Sequence, residues 1–245
     1  MKKFFMFLIL YVCMLLQAAG QNTYSFKHIN AQEGMSNDFI LDMAIDGQSF
    51  VWSATESGLN KWTGNENIVY KENNSPIVSN ELTSLYYDTP TNMLWIGSRA
   101  SGISLFDCHT QQFRNLTTKN GLSANDVSDI MPPDEEGIWI VYLGGKIDRY
   151  DKSADSITAR YNKENIPDLK GRNRCCCDDY NGSLYVGHVG NGMSVVNLKD
   201  KTVKNYRHDA RNPKSLPGDN VRSIYIDHLK NVWVCLLYTS DAADE

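Results

Sequence analysis

The chain has 245 residues, of which 42% are hydrophobic and 22% are charged, and this composition excludes an intrinsically disordered protein. Its 24 basic and 29 acidic residues give a formal net charge of −5, with no Lys/Arg cluster beyond the first three residues. A nucleic-acid partner is therefore not expected. Aromatic residues are abundant while helical periodicity is scarce, which argues against an all-helical fold.

The first twenty residues are predicted to be a secretory signal peptide. Lys2 and Lys3 precede an apolar run, Phe4 to Leu16, that is too short to span a bilayer. Small residues follow up to Gly20, and the best cleavage point lies before Gln21. An N-terminal membrane anchor is the alternative interpretation.

An aromatic residue recurs through the rest of the chain with intervals of 43, 44, 46 and 48 residues. The five positions are Trp52, Trp95, Trp139, Tyr185 and Trp233. Apolar neighbours on both sides of each predict strands that are covered on both faces. Glycines follow six or seven residues later, where a tight hairpin needs positive φ; they are Gly58, Gly102, Gly145 and Gly192.

Two further apolar stretches follow each of these glycines, and another strand precedes each aromatic residue, ending near an aspartate. Four short strands in about 45 residues are typical of a β-propeller blade. We therefore predict an all-β fold, a β-propeller of four-stranded blades that is incomplete, with about four and a half blades. The predicted repeats are 37–78, 79–120, 121–168, 169–216 and 217–234.

The two ends of this region are unusual. Residues 26–36 align without gaps on residues 113–123, the last strand of a blade and its exit loop, so residues 24–36 are predicted to contain an orphan outer strand. From Cys235 the sequence resembles the translation of a sequencing adaptor read in frame, an ordinary polar tail being the alternative. We expect residues 235–245 to be an artefact and the native propeller to be longer.

Three motifs carry a family resemblance: Gly34-Met35-Ser36-Asn37 with its counterpart at Gly121, then Trp95-Ile96-Gly97, then Gly102 to Asp107. They resemble the two-component regulator propeller repeat over residues 24–234. Gly187 matches Gly97, whereas Ala54 and Val141 replace this glycine in the first and third repeats, and Tyr185 replaces the tryptophan in the fourth.

The resemblance implies a periplasmic sensor region of a hybrid two-component histidine kinase, anchored in the inner membrane by segments further along the parent protein. It implies an unidentified small ligand, plausibly an oligosaccharide, and allows a homodimer of the parent. This chain is expected to sense rather than catalyse, with no cofactor, no metal and no catalytic residue.

Few residues suggest site chemistry. Cys175, Cys176 and Cys177 alternate between the two faces of a strand, so they cannot converge on one metal ion and are predicted to be buried core residues. His188 is a weak candidate for ligand contact, because strand ends border the faces of a propeller. The acidic cluster Asp134 to Glu136 is predicted to be a solvated turn.

Two other functions stay open from the sequence. The first is a secreted interaction scaffold, which a stop codon soon after propeller closure would support. The second is a metal-dependent propeller lyase with a histidine on one face, which a metal-dependent activity lost in His188→Ala would support.

Overall fold

The computed structural model describes residues 26–131 and 137–237, and within them it is an all-β protein with two single-turn 3-10 helices. The predicted signal peptide, the Asp134 to Glu136 cluster and residues 238–245 of the predicted artefact lie outside the described residues. None of the helices in the described part of the chain is long and apolar enough to cross a membrane.

The strands form four four-stranded antiparallel sheets and one two-stranded sheet, each built from consecutive strands. The first sheet contains β1 (Ile40–Ile45), β2 (Val51–Thr55), β3 (Gly58–Trp62) and β4 (Asn67–Tyr70). The second contains β5 (Leu82–Asp88), β6 (Met93–Ser98), β7 (Ile103–Asp107) and β8 (Gln112–Leu116). The third contains β9 (Val127–Met131), β10 (Gly137–Tyr142), β11 (Ile147–Asp151) and β12 (Ser156–Tyr161). The fourth contains β13 (Arg172–Asp178), β14 (Ser183–Val189), β15 (Met193–Asn197) and β16 (Val203–Tyr206). The fifth contains β17 (Val221–Ile226) and β18 (Val232–Leu236).

The predicted propeller fold is confirmed, and each four-stranded sheet lies inside one predicted repeat. The fifth sheet extends slightly further than expected. Cys235 and Leu236, the first two residues of the predicted artefact, belong to β18, where Leu236 pairs with Val221.

The periodic tryptophans form the contacts between sheets. Trp52, Trp95 and Trp139 are 0%, 3% and 1% exposed. Each packs in a cluster with apolar residues of the following sheet, as Trp52 does with Leu85 and Phe106. A buried tryptophan removes roughly 150–250 Å² from water, so the hydrophobic contribution per sheet pair is large.

The two outermost sheets each have an exposed apolar face. Met43 and Leu85 occupy equivalent positions in the first strands of the first and second sheets, yet Met43 is 58% exposed and Leu85 6%. Trp233, in the last sheet, is 62% exposed. Leu85 is covered by the tryptophan of the preceding sheet, whereas no described sheet covers Met43 or Trp233 in this way.

The hairpin glycines have positive φ, 129° at Gly58 and 89° at Gly102, for example. A Cβ atom on Gly102 would lie 2.3 Å from the carbonyl oxygen of Leu116 in the fourth strand. Two requirements therefore coincide at this position, a left-handed backbone and a close approach of main chains.

The Gly-Met/Leu-Ser motif joins one sheet to the next. The segments Ala31–Glu33 and Thr118–Asn120 are matching 3-10 turns, followed by Gly34 and Gly121 with φ of 98° and 111°. The serine amides that follow donate at 2.8 Å to side chains of the third strand, from Ser36 to Asn60 and from Ser123 to Asp148.

Residues 26–30 of the predicted orphan outer strand form no strand in the structure, and Phe26 is 88% exposed. The four complete sheets each have their own fourth strand, and the blade that this segment is expected to complete is not among them, so the orphan strand stays a prediction.

We predict that Gly102→Ala destabilises the chain by about 2–4 kcal/mol, because it combines left-handed strain with a clash against Leu116. Gly64→Ala is the matched control, since Gly64 has φ of 97° and no atom within 4 Å of the added Cβ. It should cost about 1 kcal/mol. Urea unfolding of both variants measures the difference, and equal losses would contradict the close-approach argument.

Candidate functional site

The first strands of all five sheets surround one cavity of about 450 Å³, which we call the central cavity. Its walls come from β1, β5, β9, β13 and β17, so it lies at the centre of the propeller. Its lining includes the charged residues Asp42, Asp129, Arg174 and Arg222. A cavity of this size with convergent charged groups is typical of a ligand site.

Each of these five strands has a β-bulge at the same place in its pairing with the second strand of its sheet. The extra residues are Leu41, Thr83, Ser128, Arg174 and Arg222. A bulge redirects the side chain locally, and all five of these residues line the central cavity. The bulge therefore brings one further residue of each repeat to the wall of the cavity.

Two aspartates next to the bulges connect neighbouring sheets. The Asp42 carboxylate accepts the Leu85 amide at 2.7 Å, and Asp129 accepts the Cys176 amide at 3.0 Å. Each also accepts the amide of the residue that follows it in its own strand. Desolvation by burial raises the pKa of both carboxyls, that of Asp129 to about 7.

A second cavity of about 260 Å³, here called the arginine cavity, adjoins the first and shares all five bulge residues with it. Its lining includes Arg99, Arg172, Arg174 and Arg222. The buried Nε of Arg174 has no hydrogen-bond partner in the structure. Burial lowers the pKa of Arg174, and the nearby charges of Arg222 and Arg172 lower it further.

His188 is fully buried, with 0% exposure. Its Nε2 lies 2.7 Å from the hydroxyl of Ser194, and Nδ1 has no partner. Burial, with a smaller contribution from Arg207, lowers the pKa of His188 to about 4, so the ring is neutral at pH 7. The structure places this weak ligand candidate inside the fourth sheet, and its side chain lines neither cavity.

Two of the three consecutive cysteines are core residues. Cys175 and Cys176 are 7% and 5% exposed in β13, whereas Cys177, also predicted to be buried, is only partly buried. All five described cysteines are free. Burial raises the pKa of Cys175 to about 12, so its thiol is protonated. In residues 26–131 and 137–237, no three His, Cys, Asp or Glu side chains come together as a metal site.

Hydrogen bonds from tryptophan side chains to aspartates were not predicted from the sequence. Trp52 donates from Nε1 to Asp46 at 2.8 Å, and Trp233 donates to Asp227 at 2.9 Å. The signal was present, because each aspartate lies six residues before its tryptophan. The second sheet differs: Trp95 Nε1 has no partner.

The aspartate of the second sheet has a different role. Asp88 forms a buried ion pair with Lys152 of the third sheet, with 2.8 Å between Nζ and the carboxylate. The equivalent acid thus links two sheets instead of accepting from a tryptophan.

Solved structures with this architecture include extracellular domains from B. thetaiotaomicron. The extracellular domain of BT3049, described as a hybrid two component system, gives a TM-score of 0.78 at 30% identity, covering 90% of this chain and 31% of that one. The corresponding domain of BT4673 gives 0.65 at 20% identity, covering 82% and 27%.

The WD40 β-propeller domain of Doa1 gives a TM-score of 0.57 at 12% identity, covering 80% of this chain and 60% of that one. At these lower identities, BT4673 and Doa1 show the shared fold alone. This chain spans about a third of the BT3049 domain, at 31%. No family model matches the sequence, and no curated protein matches it.

We predict that the raised pKa of Asp129 makes the chain less stable as pH rises from about 4 to about 7. The folded pKa is raised to about 7, while the unfolded value is about 3.9. The folded state therefore binds the extra proton in this window, and stability falls by at most about 1.4 kcal/mol per pH unit.

The difference in unfolding free energy between wild type and Asp129→Asn, measured by urea titration at several pH values, isolates this effect. Asp200→Asn is the control, because Asp200 is exposed and hydrogen bonds from Thr202 lower its pKa. A flat difference curve for Asp129→Asn would show that Asp129 is ionised in the folded state throughout the window.

Proposed function

We propose that this chain, which belongs to the two-component regulator propeller family, forms part of the ligand-sensing extracytoplasmic region of a hybrid two-component system. The observation that carries the proposal is the 30% identity to the BT3049 extracellular domain across 90% of this chain. That structure and the BT4673 structure are both described as the extracellular domain of a hybrid two component system.

The parent protein in this proposal is periplasmic in this region, anchored in the inner membrane and followed by a histidine kinase. Its ligand is glycan-derived, as the family resemblance implies. The central cavity supports ligand binding, because five strands bring charged and hydroxyl side chains to one cavity.

Further blades complete the propeller in this proposal. Their support is the pair of exposed apolar faces described above, with Met43 and Ile45 on one and Tyr225 and Trp233 on the other. Ile45, Tyr225 and Trp233 are 63%, 64% and 62% exposed. Apolar surface of this kind is normally covered by a partner surface.

The first test is a long sequencing read of the source DNA across codon 234. We expect the frame to continue through further Trp-x-Gly repeats into a membrane helix and a histidine kinase. A stop codon soon after propeller closure would contradict the two-component assignment and favour a secreted interaction scaffold.

The second test compares Met43→Ser with Leu85→Ser, which change equivalent positions of the first two sheets. In the 245-residue chain, Met43→Ser should change the unfolding free energy by less than about 0.5 kcal/mol, and Leu85→Ser should cost about 2–5 kcal/mol. In the longer parent, Met43→Ser should become as costly as Leu85→Ser, because the last blade of the closed propeller covers the Met43 face of the first sheet. A small effect in both contexts would contradict closure over Met43.

A further inference from the structure

We propose that the arginine cavity is an anion-binding site, where Arg172, Arg174 and Arg222 hold the carboxylate or sulfate group of a small acidic ligand. This inference goes beyond the proposed sensing role, because anion binding is a property of these strands whether or not a kinase follows.

The charge balance of the cavity is strongly positive. Four arginines line it, and Asp126 is the single acid among its lining residues. The Asp126 carboxylate already accepts the amide of Gly144 at 2.7 Å, which orients it toward that loop. Arg99 is neutralised by ion pairs with Glu56 and Glu81.

The other three arginines have no carboxylate partner of this kind. Arg172, Arg174 and Arg222 form no ion pair with any residue in the described ranges. A buried guanidinium nitrogen without a hydrogen bond is costly, and Arg174 has one at Nε. The planar guanidinium groups match the geometry of carboxylate and sulfate oxygens.

The acids of the adjoining central cavity form no ion pair with this cluster in the described residues. Asp42 and Asp129 lie near enough to Arg222 for its charge to lower their pKa values, but burial raises both values overall. Their carboxylates accept two backbone amides each. With a pKa of about 7, Asp129 is only partly ionised at neutral pH.

The sheet positions these arginines at the cavity wall. Arg174 and Arg222 are the bulge residues of neighbouring strands β13 and β17, where the first three sheets have Leu41, Thr83 and Ser128. Arg172 begins β13 and is exposed, while the other two are partly buried. Two of the three guanidinium groups are therefore held on the paired strands β13 and β17, and the third, that of Arg172, is exposed to solvent.

Isothermal titration calorimetry of the full chain tests this site. Sodium sulfate and sodium glucuronate are the two anionic probes, and glucose is the uncharged counterpart of glucuronate. We expect saturable binding of at least one anion, with glucose at least about ten-fold weaker, a difference of about 1.4 kcal/mol. The two anion titrations show whether the site prefers a sulfate or a carboxylate.

Arg174→Gln should weaken anion binding at least about ten-fold, since it removes one of three guanidinium groups. Arg211→Gln is the matched control, because the Arg211 side chain is 97% exposed and lies outside both cavities. Its affinity should stay within about two-fold of wild type. If Arg174→Gln loses its native circular dichroism spectrum, Arg222→Gln replaces it with the same expected loss.

Absence of saturable heat for both anions would overturn the proposal. So would equal affinities of the Arg174→Gln and Arg211→Gln variants. A chain that binds an anion but has no kinase in its reading frame would leave this inference intact and remove only the proposed function.

Discussion

The burial of an aromatic residue between adjacent sheets is the interaction on which the rest of this structure depends. A four-stranded sheet has two faces and cannot bury both by itself, so each blade depends on its neighbours. Trp52, Trp95 and Trp139 are almost completely buried because a sheet follows each of them. The same residue type at Trp233 is mostly exposed. Stability in such an array is therefore shared between neighbours, as in other repeat proteins.

Polar contacts supply the alignment that apolar packing does not. Asp42 and Asp129 each accept an amide of the next first strand, which fixes the distance between sheets at the cavity wall. Further out, the Ser36 and Ser123 amides donate to side chains of the third strands. Hydrogen bonds are directional, whereas hydrophobic burial is not, so these contacts determine how the sheets are arranged.

The fold could be predicted from the sequence because its main signals are periodic. The tryptophans and the hairpin glycines recur at each blade, and both reflect local requirements of a strand or turn. The cavity could not be predicted, because a bulge becomes visible only when the partner strand and its register are known. Arg174 and Arg222 give no sequence signal that they share one cavity, since 48 residues separate them.

His188 illustrates a different difficulty. Its place after Gly187 suggested a strand end at a propeller face, but β14 continues through Val189 and buries the ring against Ser194. The strand continues for two residues past Gly187, and this is enough to place the His188 side chain in the interior. Strand boundaries are the least certain part of any sequence interpretation, and a site assigned from them inherits that uncertainty.

The repeated bulge has a consequence for how this propeller can diversify. Because the extra residue is not part of the regular strand pairing, the hydrogen bonds between the strands of its own sheet do not depend on its side chain. The five bulge positions carry leucine, threonine, serine and two arginines on nearly the same backbone. The chemistry of the cavity wall can therefore change one residue at a time while the sheets that support it stay the same. The bulge residues at the cavity wall and the tryptophans between the sheets thus occupy separate positions of each repeat.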